Sequence, residues 1–363
     1  MTLGPRPLID LRWLGANDGT GSVCHHLLDG LSAQPPPTEI TLWGDPRLIA
    51  SPPERCTVAA THTSGNRLGG QRHFMNMPPH SSAIYLNQVR PLRDWNSATV
   101  MYDTIQIRLG NEAKRAIKLR FLRTVARRSK LVATVSEHSR RTLVSDLGCD
   151  PTKIRRLHLP IDRELAARVI RRRAELAPKP DDVAGQDILY VGRASPHKNL
   201  DGLLRAFNDA GLDGSRRLHL LGPNGDGREQ LEQLADDIGL TSFVVADDRS
   251  DEALIDAYAR AGTVVMPSLE EGWGMPAFEA VAAGIPVVSS LGGALPEVAE
   301  FATAPFNLID VAEPGALAAA LADAPAGLQR RDLDRFADAA SRSGPAPVDL
   351  AAQILDLIAE LQS

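Results

Sequence analysis

Short apolar runs alternate with amphipathic segments through the second half of the chain. The apolar runs predict five strands, at 188–191, 217–221, 242–245, 263–266 and 286–289. Between these runs the apolar residues recur with helical spacing, which predicts helices at 200–210, 228–238, 251–260 and 277–283. Strands that alternate with helices of this length are typical of a parallel, doubly wound α/β sheet.

The first half shows the same alternation in a less regular form. It starts with a strand at 8–12, a Gly-rich loop at 15–21 and a helix at 23–31. Further strands are predicted at 39–43, 83–86, 98–102, 131–134 and 154–159. Ser136 is a typical N-cap residue for a helix at 137–147.

Two breaks in the pattern predict the domain organisation. The segment 163–185 joins a basic helix to a Pro-rich break, and we interpret it as the connection between two domains. A second break, at 341–347, precedes a final helix at 348–361. We expect a first domain of residues 1–165, with the C-terminal helix 348–363 packing back on it. The second domain then comprises residues 166–347, and the two face each other across a cleft.

Composition narrows the class of protein. The 363 residues suffice for two domains, and 43% apolar with 23% charged residues is ordinary for a globular protein. No apolar run reaches the roughly 18 residues that span a bilayer. The N-terminus lacks the layout of a signal peptide, so we expect a cytoplasmic protein. The three cysteines, Cys24, Cys56 and Cys149, are scattered and indicate neither a disulfide framework nor a zinc site.

The charge is divided unevenly. Residues 1–180 hold 28 Lys and Arg against 15 Asp and Glu, although the whole chain has a net charge of −5. Within residues 108–130, nine cations and one acid are interleaved with apolar residues. This pattern is typical either of a peripheral contact with the anionic inner face of a membrane or of a solvated helix face. Nucleic acid is not expected as a partner, because aromatic residues make up only 4% of the chain.

The segment after the strand at 263–266 carries the most informative chemistry. Glu271 lies in a Gly-rich turn that follows the strand, and Glu279 lies early in the next helix. Ligands bind at this edge of an open α/β sheet, and a helix N-terminus suits a phosphate. Carboxylates beside a phosphate site indicate a ligand that carries hydroxyl groups as well as phosphate. A nucleotide sugar has both kinds of group. For Glu279, a purely structural role at the helix N-terminus is an equal alternative.

Two cations are expected at the same edge. Arg193 follows Gly192 at the end of the strand 188–191, and Lys198 comes five residues later, before a helix. They would neutralise a departing diphosphate, although loop cations of this kind are often merely solvated. In the first half, the Gly-rich segment around Gly21 is a weak phosphate motif or a simple turn. Tyr102 and Asp103 end another strand, where Asp103 is either a cleft residue or a cap.

The chain resembles the family 4 retaining glycosyltransferases, which use nucleotide sugars and have the GT-B fold of two Rossmann-like domains. The resemblance is carried by LYVGRASPHKNLDGLLRAF at 189–207 and MPSLEEGWGMPAFEAVAAGIPVVSS at 266–290, followed by GGALPEV. The first half is similar over fewer residues, through IDLRWLGANDGTGSVCHHLLDGL and LVATVSEHSRRTLVSDLG. The branch it resembles contains mannosyl- and rhamnosyltransferases that build cell-surface polysaccharides.

The resemblance implies a role for each matching residue. Arg193 and Lys198 would bind the donor diphosphate, Glu271 the sugar hydroxyls and Glu279 the ribose. Backbone N–H groups of Gly272, Trp273, Gly274 and Met275 would reach the sugar and phosphate. Gly192 belongs to the same donor site, Gly222 and Arg249 would lie near the base, and Gly21 would approach the diphosphate from the first domain. No metal or other cofactor is expected.

The implied reaction is transfer of a hexose or 6-deoxyhexose to a glycan or lipid-linked acceptor, from GDP-mannose or a dTDP- or UDP-sugar. A nucleotide-sugar epimerase, a phosphorylase and a transferase for a soluble acceptor are the alternatives. One departure concerns the acceptor side, where many relatives have His-Asp and this chain has Tyr102-Asp103. We interpret Tyr102 as a residue that accommodates a less polar sugar.

Overall fold

A computed structural model of the protein shows the chain folded into two compact units. It describes residues 5–16, 19–61, 77–109, 111–176, 183–184, 187–223, 226–247, 250–302, 304–325, 328–329 and 344–363. The first unit comprises Met1–Pro160 and Pro345–Ser363, and the second comprises Ile161–Gly344.

The first unit contains a seven-stranded parallel sheet. Its strands are β1 (Arg6–Asp10), β2 (Ile40–Gly44), β3 (Cys56–Ala60), β4 (His80–Tyr85), β5 (Ser97–Val100), β6 (Leu131–Thr134) and β7 (Ile154–Arg156). They lie side by side in the order β3-β2-β1-β4-β5-β6-β7. The helices in this part of the chain are α1 (Gly19–Ala33), α2 (Glu112–Arg128) and α3 (Glu137–Leu147).

Helix α3 shows how the local sequence fixes an element. Ser136 caps its N-terminus, since the hydroxyl Oγ accepts a hydrogen bond of 3.0 Å from the amide of Ser139. Gly148 ends the helix with φ of 66°, a left-handed conformation that favours glycine. The helix predicted at 137–147 is therefore confirmed at both ends.

The second unit contains six parallel strands in the order β11-β10-β9-β12-β13-β14. These strands are β9 (Asp187–Val191), β10 (Leu218–Leu221), β11 (Phe243–Ala246), β12 (Ala261–Met266), β13 (Val287–Ser290) and β14 (Phe306–Ile309). The helices are α4 (Arg163–Leu176), α5 (Leu200–Asp209), α6 (Asp226–Asp237), α7 (Asp251–Arg260), α8 (Met275–Ala282), α9 (Leu295–Ala299) and α10 (Ala316–Ala322). A two-residue strand β8 (Val183–Ala184) pairs antiparallel with β15 (Leu328–Gln329).

The strand order of the second unit creates a switch point between β9 and β12. From β9 the chain builds outward through β10 and β11, and then crosses back to place β12 on the other side of β9. The two strands pair in parallel, with Val264 opposite Leu189. The loops that leave their carboxyl ends diverge in opposite directions, which opens a crevice at that edge.

Helix α4 belongs to the second unit, although the sequence suggested a connecting segment. Its arginines hold α7, because Arg168 pairs with Glu252 at 2.6 Å and Arg172 with Asp256 at 2.6 Å. Arg173 is fully buried and donates hydrogen bonds to the backbone carbonyls of Tyr258 and Ala261. A buried guanidinium that satisfies main-chain carbonyls anchors this helix to the unit.

The C-terminal helix α11 (Pro347–Gln362) packs on α1 in the first unit. Leu350 and Ile354 on its apolar face are fully buried. Gly30 of α1 allows the close approach, since a side chain there would overlap the carbonyl group of Pro347. Within the described residues, none of the helices combines the length and the apolar character needed to span a bilayer.

Candidate functional site

The candidate site lies at the carboxyl edge of the second sheet, at the switch point. Strand β9 ends at Val191 and is followed by Gly192 and Arg193. Strand β12 ends at Met266 and leads into the loop that carries Glu271. The sheet therefore brings together two loops that the sequence placed at the same edge.

An ion pair joins these two loops. Lys198 Nζ lies 2.6 Å from Glu271 Oε1, and the two residues are 73 positions apart in the chain. The side chain of Lys198 is 19% exposed and that of Glu271 is 8% exposed. Because both groups are largely removed from water, the pair is more than a surface contact, and each charge depends on the other for compensation.

Backbone hydrogen bonds hold the loops in register. Lys198 ends a short 3₁₀ turn, Pro196–Lys198, and the carbonyl of His197 in that turn accepts a hydrogen bond of 2.7 Å from the amide of Leu269. Asn199 Nδ2 donates to the carbonyl of Pro267 over 3.3 Å. Asn199 itself has φ of 54°, a conformation that asparagine tolerates better than most residues. The position of Lys198 relative to Glu271 is thus set by main-chain contacts as well as by charge.

Serines and glycines pack around Glu271 and the backbone of its loop. The hydroxyl of the fully buried Ser268 donates to Glu271 Oε1 over 2.7 Å. Ser290 donates to the carbonyl of Ser268 and accepts from the amide of Gly292 at 3.1 Å. Gly293, with φ of 70°, packs so closely that a side chain would overlap the backbone of Glu271. This packing fixes the loop backbone around the carboxylate.

Two glycines allow close contacts in the loops that follow β9 and β10. Gly192 has φ of 148°, and a Cβ there would lie 2.7 Å from the hydroxyl of Tyr190. Gly222 has φ of 108°, and a Cβ there would lie 2.9 Å from the carbonyl oxygen of Gly192. The Tyr190 hydroxyl donates to the carbonyl of Arg193 over 3.0 Å, while the Arg193 side chain is exposed. Only glycine combines these angles with such a close approach.

Helix α8 presents Glu279 beside the same loop. Gly274 caps the helix with φ of 98°, and Tyr258 of α7 donates a hydrogen bond of 2.6 Å to Glu279 Oε2. Burial raises the pKa of Glu279 to about 7, the Tyr258 hydrogen bond acts against this rise, and the nearby Asp162 carboxylate adds to it. Glu279 is therefore poised between charged and neutral forms near neutral pH.

The side chain of Trp273 serves packing. Its ring stacks edge to face with Phe278 at 5.3 Å and with Phe301 at 6.2 Å, and the two phenylalanines are 5.4 Å apart. Such arrangements are favourable for aromatic rings and rigidify the loop. The resemblance assigns the backbone N–H of Trp273, and not its ring, to a ligand.

The remaining candidate residues, on the donor side and on the acceptor side, take different positions. Gly21 was expected in a loop, but it lies in the first turn of α1 in the first unit, where a side chain would overlap the carbonyl group of Ala16. Tyr102 and Asp103 follow β5 in the same unit. Asp103 Oδ1 accepts from the amide of Ile105 over 2.9 Å, so it caps the turn that follows. Arg249 lies outside the described residues.

Four residues with clear contacts in the site were not singled out from the sequence. They are His197, Ser268, Tyr258 and Ser290. Burial, and then the charge of Lys198, lower the pKa of His197, which keeps it neutral at neutral pH. His197, Ser268 and Ser290 lie within the stretches that carry the resemblance, whereas nothing in the sequence linked Tyr258 to Glu279. In the part of the chain that the structure describes, no cluster of three or more His, Cys, Asp or Glu could hold a metal ion.

Two α/β units, each built on a parallel sheet, are the architecture of the GT-B fold. Residues 173–332 match the family model described as glycosyl transferases group 1. This segment is therefore similar to the domains of that family, in agreement with the resemblance that the motifs carry, and the fold is the one that the motifs predicted.

Comparison with individual proteins agrees with this assignment. The chain is 32% identical to the MMP alpha-(1->4)-mannosyltransferase of Mycolicibacterium hassiacum over 48% of its own length and 40% of that protein. Alignments with the curated relatives span between about a quarter and a half of their length. Sucrose-phosphate synthase from Thermosynechococcus elongatus has a similar fold, with a TM-score of 0.70 and 19% identity over 99% of both chains. HepE from Anabaena, solved in complex with UDP-glucose, has a TM-score of 0.68 and 16% identity over 98% of this chain and 99% of that one.

Proposed function

We propose that this protein is a retaining glycosyltransferase that uses a nucleotide diphosphate sugar and requires no metal ion. The observation that carries the proposal is the buried Lys198–Glu271 ion pair at the switch point of a group 1 glycosyl transferase domain. A cation for a diphosphate and a carboxylate for hydroxyl groups lie there side by side. A nucleotide sugar carries its diphosphate and its sugar hydroxyl groups within a few ångströms of each other.

Each residue has a part in this proposal. Arg193 and Lys198 neutralise the diphosphate, and the amides of Gly272 to Met275 at the start of α8 add donors to it. Glu271 accepts hydrogen bonds from sugar hydroxyls, and Glu279 accepts them from the ribose. Gly222 lies near the base in this proposal. Tyr102 and Asp103 belong to the acceptor side.

Stabilisation of the leaving diphosphate supplies most of the catalysis in this mechanism. As the bond from the sugar C1 to the diphosphate oxygen lengthens, negative charge builds on that oxygen, where Arg193 and Lys198 meet it. The acceptor hydroxyl attacks the same face of C1 and passes its proton to the departing diphosphate oxygen as the new bond forms. This front-face course retains the configuration of the sugar without a protein nucleophile.

The donor and acceptor follow from similarity and from the residues. One curated relative is named a mannosyltransferase, and one solved structure of the same fold contains UDP-glucose, which supports a hexose donor such as GDP-mannose or a UDP- or dTDP-sugar. A glycan or lipid-linked acceptor of cell-surface polysaccharide is proposed. Tyr102 favours a 6-deoxyhexose in this proposal, because its aromatic ring suits the less polar methyl group at C6.

Contact with an anionic membrane is a further part of the proposal, in keeping with a cytoplasmic enzyme. Helix α2 exposes Ile117 to 70% and Phe121 to 37% of their full area. Exposed cations flank these apolar side chains; they are Lys114, Arg115, Arg120, Arg123 and Arg127. Apolar side chains among basic residues are typical of helices that lie in the headgroup region.

Vesicle binding tests this contact. Sedimentation with phosphatidylserine-containing vesicles should be lost on Ile117→Ser with Phe121→Ser, and also at high salt. Val244→Ser, which changes a residue that is 40% exposed in the second unit, is the matched control. Equal binding of the α2 variant and the control would contradict the membrane role.

A nucleotide screen tests the catalytic proposal. Thermal unfolding is followed with UDP, GDP, dTDP and ADP, since a ligand at 100 times its dissociation constant stabilises by about 2.7 kcal/mol. The corresponding nucleotide sugars are then incubated with glycan and lipid acceptors. Transfer with retained configuration supports the proposal. A changed sugar without any acceptor indicates an epimerase, and a requirement for inorganic phosphate indicates a phosphorylase.

A further inference from the structure

The two charges at the switch point pair with each other in the structure. In the proposed function Lys198 binds the diphosphate and Glu271 binds the sugar. In the structure Lys198 Nζ and Glu271 Oε1 are 2.6 Å apart, and Glu271 is only 6% exposed. A diphosphate that binds Lys198 must therefore compete with a buried carboxylate for its charge.

A buried carboxylate that loses its cation needs another donor. The desolvation penalty of an unpaired buried charge is large. Ser268 stays in place, because its hydroxyl donates to the same oxygen over 2.7 Å and its backbone is held by Ser290. The hydroxyls of a sugar on the diphosphate would replace Lys198, whereas a nucleoside diphosphate alone brings nothing to Glu271.

We propose that the Lys198–Glu271 ion pair, supported by Ser268, makes the site select the nucleotide sugar over the nucleoside diphosphate that remains after transfer. The inference rests on the proposed function. The ion pair is exchanged when a complete donor binds, and it forms again when the sugar has left. When the ion pair forms again, Lys198 binds the diphosphate less tightly, which favours release of the product. Ser268 is a positioning residue that keeps Glu271 oriented during the exchange.

Calorimetric titration of paired ligands tests the selection. The pairs are UDP with UDP-glucose, GDP with GDP-mannose, and dTDP with dTDP-rhamnose; the pair that binds most tightly to the unchanged protein is used. Glu271→Gln should tighten binding of the nucleoside diphosphate by roughly tenfold, the scale of one charge-assisted hydrogen bond, because Lys198 is released. The same variant should lose its preference for the sugar-bearing ligand. Weaker binding of the nucleoside diphosphate by Glu271→Gln would overturn the proposal.

A double-mutant cycle separates positioning from a general structural effect. Ser268→Ala should weaken nucleoside diphosphate binding in the unchanged background, because Glu271 then depends more on Lys198. The same substitution should have no effect when Glu271→Gln is present. Ser289→Ala, at a serine that is 1% exposed on β13, is the matched control and should leave both affinities unchanged.

The outcomes distinguish this inference from the proposed function. An equal effect of Ser268→Ala in both backgrounds would assign Ser268 a structural role only and would contradict the exchange. Binding of a nucleotide pair with unaltered selectivity in Glu271→Gln would overturn the inference and leave the glycosyltransferase proposal intact. If none of the three pairs binds the unchanged protein, both proposals are wrong.

Discussion

Tyr258 and Glu279 are joined by a hydrogen bond of 2.6 Å from the phenol hydroxyl to the carboxylate Oε2. The tyrosine lies on α7, is 1% exposed, and also approaches the carbonyl of Pro276 at 3.3 Å. Burial nevertheless raises the pKa of Glu279 to about 7. The residue proposed to bind the ribose is thus a carboxylic acid whose charge changes near neutral pH.

The first prediction is that Glu279 makes stability depend on pH. Its pKa is about 7 in the folded chain and near 4.5 in the unfolded chain, so between these values the folded state binds more protons. The free energy of unfolding should therefore fall as pH rises from about 4.5 to 7, by at most roughly 3 kcal/mol. Glu279→Gln should remove this part of the slope, as measured by urea unfolding at several pH values.

A matched control for this variant is Glu229→Gln, on the exposed surface of α6. It should leave the pH dependence unchanged, because an exposed carboxyl group loses no hydration on folding. If Glu279→Gln and Glu229→Gln give the same pH profile as the unchanged protein, burial of Glu279 has no energetic effect.

The second prediction concerns the cations. Arg193→Ala and Lys198→Ala should each lower kcat by ~10²-fold or more, as removal of a group that stabilises charge in the transition state does. Steady-state kinetics with the donor found in the nucleotide screen measures this. Arg205→Ala, on α5 away from the loop that carries Lys198, serves as the control. Near-normal rates in both active-site variants would refute the assignment of these residues.

The third prediction uses two glycines with similar backbone angles. Gly293 has φ of 70° and packs on the backbone of Glu271, whereas Gly239 has φ of 74° and nothing within 4 Å of the place of a Cβ. Alanine at either position incurs the strain of a positive φ, of about 1 kcal/mol. Gly293→Ala should destabilise the protein by a further 1 kcal/mol or more and reduce turnover, because it displaces Glu271.

Thermal unfolding and kinetics of the two glycine variants test this difference. Gly239→Ala should keep normal kcat despite its lower stability. Equal destabilisation and equal activity of the two variants would show that the contact of Gly293 with Glu271 does not position the carboxylate.

The fourth prediction concerns the donor sugar. If Tyr102 accommodates a 6-deoxyhexose, turnover with dTDP-rhamnose should exceed turnover with GDP-mannose. Tyr102→His, which restores the residue common in the resembling family, should shift the ratio toward the 6-hydroxylated sugar. Exclusive use of a 6-hydroxylated donor by the unchanged protein would contradict this role of Tyr102.

Much of the second unit could be predicted because its signals are local. The helix at 251–260 is confirmed at both ends, and the five strands predicted in this unit are confirmed to within two residues, whereas β14 was not predicted. Strand β3 in the first unit was missed, since Cys56–Ala60 is short and has a weakly apolar sequence. Gly21 was assigned to a loop because glycines usually break helices, but here a close contact with Ala16 requires one inside α1.

The sequence by itself determined the class of fold, the edge of the sheet where the motif residues lie, and the spacing of Glu271 and Glu279. These features follow from periodicity, capping and short motifs, which act over a few residues. Only the tertiary structure decided that Lys198 pairs with Glu271, that Ser268 supports the pair, and that Tyr258 meets Glu279. Such contacts depend on the order of strands β9 and β12 and on the packing of α7 against its neighbours, which join positions far apart in the chain.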